Sequence, residues 1–108
     1  MININNKRWD KITGRDVKKV LRGTDDECFF YEFKSDDVTP EKLVKEISAF
    51  ANTYGGYIFL GVEDDKTISG CTKWREQRIH AAIHDSLTPT PNFDVRKFKI
   101  DGRTVFLI

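Results

Sequence analysis

Acidic side chains occur at two places in the chain from which they could act together. The acidic run at residues 63–65 directly follows an apolar run at residues 57–62, and Glu27 and Glu32 lie earlier, around the start of an alternating segment. Carboxylate oxygens are hard ligands that suit divalent cations. The two groups could therefore hold a cation, although ordinary solvated acids give the same sequence pattern.

Basic side chains form separate clusters that could bind phosphate. The chain has 18 Lys and Arg against 17 Asp and Glu, a net charge of +1, which argues neither for nor against a nucleic-acid partner. The distribution says more, because cations and acids are segregated along the chain. The basic clusters are Lys18, Lys19 and Arg22; Lys73, Arg75 and Arg78; and Arg96, Lys97, Lys99 and Arg103.

Other reactive residues do not form a motif. His80 and His84 are one helical turn apart, but no third metal ligand accompanies them. The glycines form neither a dinucleotide-binding nor a P-loop fingerprint, which disfavours an ATP site. Cys28 and Cys71 make no disulfide framework, and we interpret them as buried, reduced thiols.

The length and composition fit one globular domain. A chain of 108 residues with 39% hydrophobic residues can bury a single core. No apolar run approaches the roughly 20 residues that a membrane span needs, and the N-terminus lacks a signal-peptide pattern. We therefore expect a cytoplasmic protein without a membrane partner. The sequence leaves the oligomeric state open, a homo-oligomer included.

The charged residues must be positioned by alternating strands and helices. Residues 28–34 alternate between an apolar face and a face that carries Glu32 and Lys34, which predicts a strand. Glu27 and Glu32 have opposite parity, so their side chains converge only if Glu27 lies in the loop before this strand.

The middle of the chain predicts a helix that leads into a buried strand. Thr39 and Pro40 offer a hydroxyl cap and a proline, both favoured at a helix N-terminus. An apolar stripe at helical spacing continues to residue 54, and Gly55-Gly56 supplies the left-handed conformation that ends a helix. The apolar run at residues 57–62 then predicts a central strand covered on both faces.

The C-terminal part predicts a β-hairpin. Asp101-Gly102 favours a tight two-residue turn between strands at residues 93–100 and 103–108. The apolar phase changes between Val95 and Phe98, which predicts a bulge or kink at that place.

The elements combine into an α+β domain that follows a short extension. A helix at residues 13–21 belongs to the extension, residues 1–24, and a helix from residue 74 or 75 to residue 87 precedes the hairpin. The order (α)-β-α-β-α-β-β predicts a mixed sheet with two main helices packed on it, over residues 25–108. The chain stops inside an apolar strand, which suggests a domain of a longer protein.

Several motifs, in order, give the chain a resemblance to a known family. They are EFK at residues 32–34, ISAFANTYGG at residues 47–56, GVEDD at residues 61–65 and ISG at residues 68–70. Together they resemble the Schlafen-type Alba-like domain, from about Glu27 to the C-terminus. The resemblance implies a Schlafen/Alba-like fold and a nucleic-acid partner, because this domain is described as a DNA-binding module of bacterial regulators or forms part of the Schlafen core.

The resemblance also implies candidate site residues. Some Schlafen proteins cleave structured RNA with three carboxylates and Mg²⁺ or Mn²⁺, which stabilises charge at phosphorus and activates water. Glu27, Glu32 and Glu63 are similar to this catalytic and metal-binding set, with Asp64 as the alternative to Glu63. Lys34 shares the predicted strand face of Glu32 and could contact phosphate.

Three functions follow from the residues and the resemblance. The leading hypothesis is a nucleic-acid-binding module of a bacterial transcriptional regulator, in which phosphates contact Lys34, Lys73, Arg75, Arg78, Arg96, Lys97, Lys99 and Arg103. The first alternative is a Mg²⁺- or Mn²⁺-dependent endoribonuclease of Schlafen type. The second is a protein-interaction module that binds a companion C-terminal domain, and an exposed apolar edge at residues 104–108 would favour it.

Overall fold

The computed structural model describes residues 7–23, 31–52 and 55–108. It confirms the predicted α+β class and the predicted order of elements. A short 3₁₀ helix at Trp9–Lys11 comes first, and the elements that follow are α1 (Gly14–Arg22), β1 (Tyr31–Lys34), α2 (Pro40–Ala51), β2 (Tyr57–Leu60), α3 (Glu76–Ser86), β3 (Arg96–Ile100) and β4 (Arg103–Leu107).

The four strands form one mixed sheet in the order β1-β2-β4-β3. β1 and β2 are parallel, with Glu32 level with Ile58 and Lys34 level with Leu60, whereas β4 is antiparallel to both β2 and β3. β2 is therefore a central strand, as the apolar run predicted. β4 is central too, so residues 104–108 are not the exposed apolar edge that would have favoured an interaction module.

Both faces of the sheet are covered, because a hydrophobic core lies on each side. On one side, the helix α1 and the segment before it supply Ile12, Val17, Val20 and Leu21, which pack against Phe33, Phe59, Phe98, Ile100, Val105 and Leu107. On the other side, α2, α3 and the loop before α3 supply Leu43, Ile47, Trp74, Ile79 and Ile83, which pack against Ile58, Leu60, Phe106 and Ile108. The N-terminal segment is thus part of the folded core.

The helices begin where the predicted caps lie. At α1, the side chains of Thr13 and Asp16 form a reciprocal capping box, in which each accepts a hydrogen bond from the backbone N–H of the other. At α2, the hydroxyl of Thr39 accepts a hydrogen bond from the backbone N–H of Lys42. Past the end of α2, Gly55 has a φ of 86°, the left-handed conformation that the glycine pair predicted.

The predicted bulge near the start of β3 is wrong. The ladder between β3 and β4 is continuous from Arg96 to Ile100, without an extra residue. Val95 packs on the α2 and α3 side of the sheet, whereas Phe98 packs on the α1 side. A regular pleat gives this alternation, so the apparent change of phase reflects two cores. The Asp101-Gly102 turn is confirmed, with φ values of 53° and 79°.

No helix among the described residues is long and apolar enough to cross a membrane.

Candidate functional site

A cleft of about 330 Å³ lies at the carboxyl ends of the parallel strands β1 and β2, beside the N-terminus of α2. This is the edge at which open α/β sheets usually bind ligands. Its lining mixes basic, acidic and hydroxyl side chains: Lys34, Ser35, Asp37, Val38, Thr39, Lys42, Glu63 and Asp64. The fold thus brings three of the sequence-predicted site residues, Lys34, Glu63 and Asp64, to one place.

Lys34 enters the cleft from the last position of β1, and acids surround its ammonium group. Its Nζ lies 3.1 Å from Oε1 of Glu32 and 3.9 Å from Oε1 of Glu46 on α2. Glu32 and Lys34 therefore share a strand face, as predicted, and their side chains are only 19% and 18% exposed. Because the charges are paired and largely buried, Lys34 is held in a fixed position.

Glu63 and Asp64 reach the cleft because the chain turns sharply after β2. Gly61 has a φ of 100°, and a Cβ there would lie 2.9 Å from Sγ of Cys71, so only glycine fits. Glu63 then accepts a hydrogen bond of 2.8 Å from Oγ of Ser69. Asp64 is exposed and makes no hydrogen bond or ion pair with the residues that the structure describes, which leaves its carboxylate available to a ligand.

The carboxylate triad is only partly within the described structure. Glu27 lies outside the described residues. Glu32 is level with Ile58, five positions before Glu63, and does not line the cleft itself. No group of three His, Cys, Asp or Glu that could hold a metal ion occurs among residues 7–23, 31–52 and 55–108. Glu63 and Asp64 have the right donor chemistry for Mg²⁺ or Mn²⁺, but the described residues do not complete a ligand set.

Asp36, between the lining residues Ser35 and Asp37, ties the end of β1 to the segment before α3, and sequence reasoning missed it. Its carboxylate accepts hydrogen bonds of 2.9 to 3.0 Å from the backbone N–H groups of Thr72, Lys73 and Trp74, and another from the hydroxyl of Thr72. Partial burial opposes ionisation, but these hydrogen bonds outweigh it and lower the pKa of Asp36. No local pattern could reveal this role, because the partners are 36 to 38 residues away.

Two further predicted phosphate contacts lie at the rim of the cleft. Lys73 pairs with Asp37, a lining residue, and this ion pair raises the pKa of Lys73. Arg78 lies over the ring of Trp74, 4.1 Å from its centroid, and donates a hydrogen bond to the carbonyl of Lys73. Both side chains are exposed, so they could meet a ligand that projects from the cleft.

The other predicted basic residues are elsewhere. Nη1 of Arg96 donates to the carbonyls of Trp9 and Ile12, at 2.7 and 2.6 Å, and thereby holds the N-terminal segment on β3. Lys97 and Lys99 project from β3, the sheet edge opposite to β1. Arg103 donates to the carbonyl of Ile68, and Arg75 precedes α3. The eight predicted cations therefore do not form one surface.

A second cavity, of about 570 Å³, contains none of the predicted site residues. It lies at the opposite end of β2, and its lining is largely apolar and aromatic, with Trp9, Phe50, Tyr57 and Phe93. Although this cavity is larger, the cleft is the better candidate site because the charged groups converge there.

The two histidines and Cys71 lie among packed side chains. The rings of His80 and His84 stack 6.3 Å apart, and both contact the ring of Phe93. Cys71 is a free, half-buried thiol. Burial and the nearby carboxylate of Asp36 raise its pKa to about 12, so it is not a reactive thiolate at neutral pH. Cys28 lies outside the described residues.

Comparison with known proteins identifies relatives of the chain. The family model described as Schlafen, AlbA_2 matches residues 27–108. The chain is similar in fold to the DIP2311 protein of Corynebacterium diphtheriae, with a TM-score of 0.65 and 23% identity over 85% of this chain and 24% of that protein. It is also similar to the N-terminal domain of a protein from Nitrosomonas europaea named as related to the ATP-dependent DNA helicase RecG, with a TM-score of 0.60 and 17% identity over 90% of this chain and 71% of that domain. The chain thus spans about a quarter of the DIP2311 protein.

Proposed function

Because the chain belongs to the Schlafen AlbA_2 family, we propose that it is a nucleic-acid-binding module. The cleft at the carboxyl ends of β1 and β2 is the observation that carries the proposal, since Lys34 and Lys42 meet Glu63 and Asp64 there. Ammonium groups bind phosphate oxygens, and carboxylates bind divalent cations. The cleft therefore fits a backbone phosphate that is bridged to a divalent cation.

The balance of charge in the cleft favours this mode over binding of a bare phosphate. The lining has two lysines against three acids, Asp37, Glu63 and Asp64, and Lys34 is already paired with Glu32. A phosphate alone would meet net negative charge, whereas a bound divalent cation would reverse the sign. Binding at the cleft should therefore depend on Mg²⁺ or Mn²⁺.

The wider role that we propose is that of a module within a longer bacterial protein, such as a transcriptional regulator with a companion C-terminal domain. The short share of the DIP2311 protein that the chain spans supports this proposal. One structural neighbour is named after a DNA helicase, so duplex DNA is the first ligand to test, with structured RNA beside it.

Fluorescence anisotropy with labelled DNA and RNA would test the binding. We expect affinity to fall steeply between about 50 and 200 mM salt, because phosphate contacts release counterions. The double variant K34Q/K42Q should bind about tenfold or more weakly, and D64N should lose the dependence on Mg²⁺.

The matched control is K45Q, which removes one exposed cation of α2 that does not line the cleft. It should bind as the wild type does. A flat salt response of the wild-type chain, or equal losses in K45Q and K34Q/K42Q, would exclude the cleft as a phosphate site.

We also propose a second candidate function, a metal-dependent nuclease of Schlafen type. Asp64 supports it, since this available carboxylate faces the same cleft as Lys34. Glu63 or Asp64 would supply an oxygen ligand from the cleft, Glu27 and Glu32 are the further ligands that the family resemblance implies, and the metal would activate water when bound. Lys34 would hold the phosphate that is attacked.

Incubation of the chain with transfer RNA and Mn²⁺ would test the nuclease. The wild-type chain should cleave the RNA, and E32Q, which conserves the size of the side chain, should not. Equal cleavage by both would show that the activity does not belong to this site.

A further inference from the structure

The outward side of α1 carries four cations and no acid. Their spacing of i, i+3, i+4 and i+7 places them on one side of a helix, and they are Arg15, Lys18, Lys19 and Arg22. The opposite side packs into the core through the buried residues Val17, Val20 and Leu21. We call the outward side the α1 basic face.

Most of these cations make no ion pair within residues 7–23, 31–52 and 55–108. The acid of the helix, Asp16, is buried and holds Thr13 and Lys7. Lys18 pairs with Asp101 at 2.8 Å. The side chains of Arg15, Lys19 and Arg22 are exposed and make no hydrogen bond or ion pair with the described part of the chain.

The α1 basic face belongs to a segment whose charge differs from that of the rest of the protein. Residues 1–26, which precede the family match, carry seven Lys and Arg against four Asp, a net charge of +3. The residues that match the family, 27–108, carry eleven Lys and Arg against thirteen Asp and Glu, a net charge of −2. The segment that precedes the family domain therefore supplies the positive charge of this chain.

A structural role does not account for the arrangement. Like charges three and four positions apart on a helix repel each other. Lys19 and Arg22 in the last turn interact favourably with the helix dipole, but Arg15 lies in the first turn, at its positive end. These contributions do not account for Arg15 or for the repulsion within the row of cations, and an external anion would offset both.

The α1 basic face also lies close to the cleft. Nζ of Lys66 donates a hydrogen bond of 3.0 Å to the carbonyl of Gly23, the residue that follows α1. Lys66 closes the turn that carries Glu63 and Asp64. The Arg22 end of the face therefore adjoins the turn that supplies the acids of the cleft.

We propose that the α1 basic face is a second contact surface for the nucleic acid, where it binds the phosphate backbone outside the cleft. The proposal rests on the proposed function of the cleft. From Arg15 to Arg22 the face is about 10 Å long, which matches about three base pairs of duplex at about 3.4 Å each. A polyanion with regularly spaced charges complements such a row of cations.

The test compares the wild-type chain with R15Q/K19Q/R22Q in a titration of labelled duplex DNA and RNA over a series of salt concentrations. Each phosphate contact that is lost should reduce the slope of log affinity against log salt by about 0.9, which is about tenfold in affinity at 0.1 M salt. The single variants K19Q and K45Q are matched controls, since each removes one exposed lysine, on α1 and α2 respectively. K19Q should lose affinity and K45Q should not.

The outcomes separate the two proposals. If the wild-type chain binds and the triple variant keeps its affinity and slope, the α1 basic face is excluded while the cleft stands. If the triple variant binds weakly but keeps its dependence on Mg²⁺, and circular dichroism shows an intact fold, both surfaces are supported. The wild type and the triple variant are also compared in binding to phosphatidylserine vesicles. If the triple variant binds nucleic acid as the wild type does and loses binding only to the vesicles, the face contacts a membrane surface and the inference is overturned.

Discussion

The cleft and the α1 basic face differ in how many of their cations are paired with acids. In the cleft, Lys34 lies 3.1 Å from Glu32, and Lys73 at the rim pairs with Asp37. On the α1 basic face, three of the four cations make no ion pair with described residues. Paired charges hold side chains in place but attract little from a distance, whereas unpaired charges attract a polyanion and are screened by salt. Under the two proposals, the cleft holds a phosphate and a cation in position, and the α1 basic face adds an attraction that salt screens.

The two regions also differ in their relation to the family match. The cleft lies within residues 27–108, which match the family model, and α1 lies before them. Variants on either side of residue 27 can therefore test the two proposed contacts separately.

The largest effect on stability should come from Gly61→Ala, at the turn between β2 and the acids of the cleft. The φ of 100° disfavours a side chain, and the new Cβ would lie 2.9 Å from Sγ of Cys71 and 3.0 Å from the carbonyl oxygen of Thr104. We expect the free energy of unfolding to fall by about 3 kcal/mol in urea denaturation. Gly55→Ala is the control, since Gly55 has a φ of 86° but no atom within 4 Å, and should cost about 1 kcal/mol. Equal losses of stability in the two variants would mean that the packing around Gly61 is loose enough to admit a side chain.

Asp36→Asn should have the next largest effect, about 2 kcal/mol, because an amide accepts fewer of the four hydrogen bonds that tie Asp36, beside the cleft, to residues 72–74. The pKa of Asp36 is lower in the folded chain than its usual value. Its contribution is therefore complete above the unfolded pKa of about 3.9 and disappears as the pH falls through the folded pKa.

Urea denaturation of the wild type and D36N at a series of acidic pH values would measure this dependence. The difference between them should shrink below about pH 4. Asp37→Asn is the matched control, since Asp37 is exposed and pairs with Lys73 at the surface. A difference that grows towards acid would contradict the assignment.

Thr13→Ala should have the smallest of these effects, about 1 kcal/mol, through loss of the capping box of α1. It should also weaken nucleic-acid binding by disordering the start of the α1 basic face, and it should leave the Mg²⁺ dependence of the cleft unchanged. Thr39→Ala removes the corresponding cap of α2, beside the cleft. It should change the Mg²⁺ dependence of the cleft and leave the contribution of the α1 basic face to binding unchanged. Identical binding changes in the two variants would remove the distinction between the surfaces.

Features with local causes could be predicted from the sequence. Thr39 and Pro40 start α2, and Asp101-Gly102 forms the hairpin turn, because capping and left-handed turn geometry depend on a few adjacent residues. The central position of β2 followed from its continuous apolar run. The bulge near Val95 was wrong because an alternation rule for one buried face was applied to a strand that faces two cores.

Features with distant causes could not be predicted. Asp36 contacts backbone groups 36 to 38 residues away, and Arg96 contacts carbonyls 84 and 87 residues away. Neither contact leaves a periodic signal. The sequence grouped Lys34 with Glu32 by strand face, and the family resemblance added Glu63 or Asp64; the parallel pairing of β1 and β2 is the reason why Lys34, Glu63 and Asp64 meet.

The two bonds from Arg96 to the carbonyls of Trp9 and Ile12 have a practical consequence. They fasten to the sheet a segment that the family model does not include, and this segment shields Phe98, Ile100 and Val105 from water. A fragment trimmed to residues 27–108 would expose one whole side of the sheet and would aggregate. The stretch that matches the family model and the unit that folds are therefore not the same length of chain, and any preparation of this domain should begin before Trp9.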